Sequence, residues 1–509
     1  MSFHKNCAIL ATLTASLYLG VSGAALADKS DDTVNIAFAK ELDNPNTYFS
    51  SARESTIFGY AVWDTLVERD PKTREWVGNL AESFKWVDDL TLEFKLRQGV
   101  KFHNGDAFGA DDVVFTLNHF SDPKTPVAMP NTVAWIKNAE KVDDQTVLVH
   151  LKAPFPAALD FLESAIQIYP AKYYQEVGDA GFSKQPIGTG PYMVDKIEPG
   201  SGYTLKAFPD YHDGGPRQKP QIKNVEVRSI PDTNTQIAEM MSGSVDFIWQ
   251  VPEDLTQKLK TRDSFNVVQG ETLRFGYISM DVSGRSSADT PLKDVRVRQA
   301  INHAIDRKAV RDAFFAPSSQ LINSICSPLQ FGCEQDVTSY NFDPAKAKEL
   351  LKEAGYENGF TTTMYFYRDK AATEAMAQML GNVGVKVDLQ MLKYAALADK
   401  QLKGEIPMGF VTWGSGSVAD ASASTSKFFD GSDIDDVKNA ELTATLKQAD
   451  TTTDPEKRKE SYSKALRQIA DQAYWVPLWT YTTNYVMAKD LNFTPTPDEF
   501  VRFYDMNWN

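Results

Sequence analysis

The run Ala81–Asn118, AESFKWVDDLTLEFKLRQGVKFHNGDAFGADDVVFTLN, leaves its backbone few choices. Leu92, Phe94 and Leu96 alternate with Thr91, Glu93 and Lys95, the period-two pattern of a half-buried strand. Gln98-Gly99 and Asn104-Gly105-Asp106 then supply residues that tolerate positive φ, so the chain can reverse twice within a few residues. A helix is predicted behind them. Asp111 and Asp112 fall in its first turn, where negative charge suits the positive end of the dipole, and Val113, Val114 and Leu117 are expected to face inward.

Strands and helices alternate through the rest of the chain. TVNIAFA from Thr33 reads as a first strand, followed by a polar loop and a helix through Ile57, Tyr60 and Ala61; Thr146–Leu151 is a further alternating strand. Ile230–Trp249 predicts a helix with Ile237, Met240 and Met241 inward, stopped at Gly243, then a strand through Val245 and Phe247. Val297, Ile301, Ala304 and Ile305 form one helical stripe, and Asp343-Pro344 and Asp454-Pro455 each open a helix, the first ending at Gly355. With 509 residues, the chain is too long for one core, and more than one lobe is expected. Its net charge of -15 argues against a nucleic-acid partner, because neutralising phosphates needs clustered Lys and Arg.

The N-terminus has the form of an export signal: Lys5, an apolar stretch Ala8–Val21, and Ala25-Leu26-Ala27 before Asp28 as the cleavage site. The apolar run is too short and too diluted by Thr12, Thr14 and Ser16 to make a comfortable membrane span. Residues 1–27 are therefore expected to be removed on export to the periplasm. Cleavage leaves Cys326 and Cys333, separated by SPLQFG, and an oxidising compartment favours a disulfide between them over two free thiols.

Equipment for catalysis is missing. His103, His119, His150, His212 and His303 are scattered without metal-ligand spacing, no G-x-S-x-G occurs, and the cysteine pair lacks a second pair to complete a zinc site. The glycines of Gln185–Tyr192, QPIGTGPY, are not a phosphate loop, since no Lys-Ser or Lys-Thr and no helix follow. Asp111-Asp112 and Asp435-Asp436 fall in a helix start and an acidic loop, where they are expected to be solvated rather than catalytic. A protein that is not an enzyme, with no metal and no cofactor, is expected; a secreted hydrolase is the least favoured alternative.

The pattern AES-x-x-W-x-x-D followed by x-FKLR-x-GVKFH-x-G-x-x-F-x-A-x-DV resembles the signature of the family 5 extracellular solute-binding proteins, the peptide, opine and nickel class serving ABC importers. Gly109 stands where relatives place a capping Thr, and glycine is an acceptable N-cap. The resemblance implies an α/β two-lobed periplasmic-binding-protein fold of the cluster C type, with an extra subdomain inserted in the first lobe. On that plan, 28–64 and 185–272 form lobe I around an inserted subdomain at 65–184, residues 273–478 form lobe II, and 479–509 return to lobe I. Leu273–Asp281 and Tyr474–Tyr481 resemble the two crossings between lobes.

By the same resemblance the solute lies between the lobes. Tyr48, Ser51 and Arg53 fall in the loop and helix start that lie on the cleft floor in relatives, while Trp249, Tyr277 and Trp479 are candidate aromatic walls at the cleft edge and crossings. Arg368 matches the arginine that holds the ligand carboxylate in peptide-binding relatives, a role suited to a guanidinium, which stays charged when desolvated and forks onto two oxygens. Trp413 matches the loop tryptophan, and Gly414 and Ser415 follow it. Dipeptide-binding relatives place an amine-binding Asp three residues after that tryptophan; here the position is Gly416, and Asp420 is the nearest carboxylate. A monomeric periplasmic receptor for a peptide or peptide-like solute is expected, delivering it to a membrane ABC permease with its ATPase subunits. The departure at Gly416 keeps an opine or oligosaccharide open as alternatives, ahead of a nickel chelate.

Overall fold

The computed structural model describes residues 31–509 except 71, 72 and 74. The expected export signal and its Ala27 cleavage site lie outside the described residues. Two long strands, Phe265–Met280 and Val476–Ala488, run antiparallel through the middle of the molecule and belong to both lobes. Phe265–Glu271 pair with Ala488–Thr482, and Phe275–Ile278 pair with Thr480–Val476; the register slips between Glu271 and Phe275 and again before Tyr277. A slip of this kind adds twist and bends the strand. The strand starts eight residues before Leu273 and so runs unbroken across the expected 272/273 boundary, with the slips close to it.

On the lobe I side, Val476–Ala488 is followed in the sheet by Phe247–Trp249, Thr33–Phe38, Asn224–Ser229, Gly202–Ala207 and Tyr192–Glu198. On the lobe II side, Phe265–Met280 is followed by Met408–Trp413, Phe360–Phe366 and Val385–Met391. The strands Thr33–Phe38 and Asn224–Ser229 are parallel, as are Phe360–Phe366 and its two neighbours, so their connections pass through helices. Each side has its own core. Val34, Ile36, Phe58, Trp63 and Tyr169 belong to the first; Val297, Ile301, Met364, Met408 and Phe410 belong to the second.

The run Ala81–Asn118 builds the hairpin Ala81–Asp88 and Thr91–Leu96, which with Thr146–Leu151 and Ile136–Asp143 makes a separate four-stranded sheet. Leu92, Phe94 and Leu96 are buried, and Gly99 and Gly105 take φ of 75° and 88°. The helix Ala110–Ser121 packs Val113, Leu117 and Phe120 inward. At its start, Asp112 accepts hydrogen bonds from the Gly109 and Ala171 backbone N–H groups, both at 2.9 Å; burial pushes this carboxyl up to about 6. Asp112 thus supplies one half of a capping box, accepting the N-cap N–H, while Gly109 has no side chain to supply the other half. One expectation fails in the helix Thr233–Ser242: Met240 is buried as predicted, but Met241 faces solvent.

In lobe II, Cys326 and Cys333 are joined by a disulfide with Cα atoms 5.8 Å apart. Asp343 and Asp454 cap their helices through backbone N–H groups of Lys346 and of Glu456 and Lys457. Among the described residues no helix is long and apolar enough to cross a membrane.

Candidate functional site

Where the two lobes meet the crossing strands, a cleft of about 830 Å³ opens. Lobe I contributes Arg53, Gln250–Glu253 and Glu499; the crossings contribute Arg274 and Tyr481–Asn484; lobe II contributes Phe314–Ala316, Tyr367–Asp369, Tyr394, Thr412–Gly414 and Gly416. Walls from both lobes and from the crossings mean that a guest here touches all three parts at once.

The lobe II wall is built at two strand ends. Phe360–Phe366 terminates at Tyr367, Arg368 and Asp369, and the helix Lys370–Asn382 begins behind them. Asp369 is in the left-handed region at φ 52°, unusual for a residue with a Cβ and costing on the order of 1–3 kcal/mol. Its carboxylate accepts from Arg368 Nε at 2.9 Å and Tyr481 hydroxyl at 2.7 Å, which ties lobe II to the return crossing. The Arg368 guanidinium lies 4.7 Å from the centre of the Tyr481 ring. Burial opposes its charge, but Tyr481 and Asp369 hold its pKa above the ordinary arginine value. Arg368 is thus a fixed cation in the cleft.

Met408–Trp413 ends at the tryptophan, whose Nε1 donates to the Ala423 carbonyl at 2.7 Å and whose ring meets Phe428 edge-on at 5.4 Å. Ser415, Gly416 and Ser417 follow with φ of 56°, 57° and 67°, three left-handed residues in a row. A Cβ at Gly416 would meet open space, so the wall carries backbone at the position where a carboxylate was sought.

The lobe I wall is anchored by the C-terminal turn. Arg53 donates to the Asp498 carbonyl at 2.6 Å and pairs with Glu499 at 3.2 Å; Arg274 reaches the same Glu499 oxygen at 3.5 Å. Ser417 of lobe II donates to that Asp498 carbonyl at 3.0 Å, so the two walls meet through one backbone oxygen. Burial alone would raise the Asp498 carboxyl, but the Arg502 guanidinium and its hydrogen bonds hold it below the ordinary range.

Residues 75–436 match the model of the bacterial extracellular solute-binding proteins, family 5 Middle. The chain belongs to this family. It is 30% identical over 448 residues to the glutathione-binding protein GsiB of Escherichia coli O1:K1 / APEC, covering 84% of this chain and 85% of the relative. HbpA2 from Haemophilus parasuis superposes with a TM-score of 0.83 at 24% identity, over 94% of this chain and all of that one. The substrate-binding protein CtaP from Listeria monocytogenes gives the same TM-score and identity, over 94% and 99%. The two-lobed α/β architecture is shared with these structures.

Against that framework, the residues expected of a family 5 cleft divide into two groups. Arg53, Arg368, Trp413 and Gly414 line it, with Ser415 buried behind Gly416. Six others do not line it. Tyr48 stacks on Phe120 at 3.6 Å and donates to the Gln167 carbonyl, inside the lobe I core. Ser51 is exposed outside the cleft. Trp249 packs on Phe38, and only the residues after it reach the wall. Tyr277 stacks flat on Trp475 at 4.2 Å, and Trp479 packs on Phe315. Asp420, 1% exposed, is gripped by Arg458 through two bonds of 2.8 and 2.9 Å and accepts from Ser422.

Sequence reasoning missed Arg274, Glu253, Asp369, Tyr481 and Glu499. Arg274 carried no clean signal, because the register slips on either side of Phe275 break the strand's alternation. Glu499 carried no local signal, because its place depends on the tail folding back onto lobe I.

Proposed function

We propose that this family 5 protein is the periplasmic receptor of an ABC importer, capturing a peptide or peptide-like solute between its lobes and delivering it to a membrane permease with its ATPase subunits. It works as a monomer after removal of residues 1–27, and makes or breaks no bond in its guest. The observation that carries this function is one cleft faced from opposite lobes by Arg53 and Arg368, with the Trp413 and Tyr394 rings beside them. Fixed guanidinium groups suit carboxylates, and aromatic faces accept side chains of varied shape. The relationship to a protein named for glutathione, itself a peptide, supports the solute class.

Open and closed arrangements interconvert about the register slips near Glu271–Tyr277, and a solute touching both walls favours closure by the difference in its contacts. A micromolar complex requires about 8 kcal/mol. A paired carboxylate, several hydrogen bonds and one stacked ring supply a sum of that order.

The backbone-lined turn at Ser415–Ser417 favours a second solute class, an opine or oligosaccharide whose oxygens would take hydrogen bonds in place of a salt bridge. Calorimetric titration of the mature chain with glutathione, trialanine, octopine and maltotriose separates the two. Binding of a peptide and not of the sugar or opine is expected; the reverse overturns the peptide assignment.

A further inference from the structure

Asp420 is sealed against Arg458, so a solute ammonium group needs another anion in the cleft. Three cations, Arg53, Arg274 and Arg368, and three carboxylates, Glu253, Asp369 and Glu499, face it. They balance in total but not in place. Asp369 is matched to Arg368 at 2.9 Å. Glu499 is shared by Arg53 and Arg274, at 3.2 and 3.5 Å, which leaves one positive charge in excess there. Glu253 touches only neutral donors: Oε2 accepts from Gln269 Nε2 at 2.9 Å and Asn484 Nδ2 at 3.0 Å, and Oε1 from Gln257 Nε2 at 2.5 Å. It makes no ion pair among the described residues.

A partly buried carboxylate without a cation, in a cleft that elsewhere holds a surplus guanidinium, forms a charge pattern complementary to a zwitterion. We propose that Glu253, presented by lobe I, is the ammonium subsite of this cleft, and that the excess charge shared by Arg53 and Arg274 receives an anionic group of the same solute. The assignment rests on the peptide-receptor function proposed above and narrows it to solutes carrying both a free amine and a carboxylate. Amide donors from Gln269 and Asn484 hold the carboxylate in position without neutralising it, which keeps its charge for the guest. Lobe I thereby supplies an anion where the lobe II turn at Gly416 offers only backbone.

The test is calorimetry on the full mature chain and on Glu253→Gln, each with glutathione, trialanine and their N-acetylated forms. Wild type is expected to bind the free-amine form of whichever peptide it accepts at least about tenfold more tightly than the acetylated form, the scale of one charge-assisted hydrogen bond. Glu253→Gln is expected to abolish that preference by weakening only the free-amine form. Its unfolding temperature should be unchanged, since the glutamine carbonyl still accepts from Asn484 and Gln269, and the exposed Gln257 amide turns over to accept from the new NH2. Indifference of wild type to acetylation, persistence of the preference in Glu253→Gln, or equal loss of both forms would overturn the ammonium subsite while leaving a peptide receptor in place. Failure of every peptide to bind wild type overturns both.

Discussion

Two arginines in this molecule are surrounded by acid and aromatic groups, yet they do different work. Arg217, with a side chain 1% exposed, donates to the carbonyls of Tyr60 and Trp63 at 2.9 Å, pairs with Asp64 at 3.1 Å and with Glu68, and lies 5.2 Å from the ring centres of Tyr60 and Tyr504. Arg368 has a side chain 37% exposed, one carboxylate on Nε and one ring beneath it. The first is enclosed by partners from distant parts of lobe I and joins them. The second is held at one edge and open to the cleft, which is what a guest needs. A cation is therefore sorted into structure or site by how much of its donor fork the protein already uses.

Four experiments would break or sharpen that contrast. Arg217→Met should have the largest effect. It removes the cation that Glu68 and Asp64 share, leaving Asp64 to His212, Asn79 and Tyr211, and breaking a buried pair from one side costs about 3–5 kcal/mol, read by denaturant unfolding. Solute affinity of the folded fraction should hold; a selective loss of affinity would erase the distinction.

Asp420→Asn tests a carboxylate that stands near the site loop but is spent on Arg458. A stability loss of about 2–3 kcal/mol with unchanged calorimetric affinity is expected. A drop in affinity at constant stability would return Asp420 to the binding site. Arg368→Ala should do the opposite, weakening a carboxylate-bearing peptide by on the order of 2 kcal/mol, about 30-fold, while the thermal midpoint barely moves.

The smallest effect concerns Glu163, which accepts from the Arg69 backbone N–H at 3.1 Å. Burial pushes its carboxyl up to about 7. With the folded value raised, the folded state holds the proton more tightly, so stability from this group is fullest at low pH and falls as pH rises toward 7. Glu163→Gln mimics the protonated form. It should stabilise by about 1–2 kcal/mol at pH 8 and by nothing measurable at pH 4, read from urea midpoints at both values. Equal effects at the two pH values would show that the group titrates normally.

Local patterns were the legible part of the chain. The strand Thr91–Leu96, the turns at Gly99 and Gly105 and the caps at Asp343 and Asp454 depend on neighbours a few residues away, and the structure has them where the pattern puts them. Arg368 and Trp413 were picked out by the resemblance to the family's motifs and not by local pattern, and both line the cleft at strand ends. The aromatic candidates show the limit. Tyr48, Tyr277, Trp249 and Trp479 carry the same chemistry as Tyr394 and Trp413, and only their packing partners separate core from wall.

By itself the sequence determined the kind of protein: an α/β chain with the strand, turn and helix order of its family, because periodicity, turn residues and caps act over one element. Tertiary structure alone decided which charges remain available. Asp420 and Arg458 are 38 residues apart in the chain, and Arg53 and Glu499 come from opposite ends. A charge is spent or left open only when folding brings its partner within a few ångströms, and no local pattern records that distance.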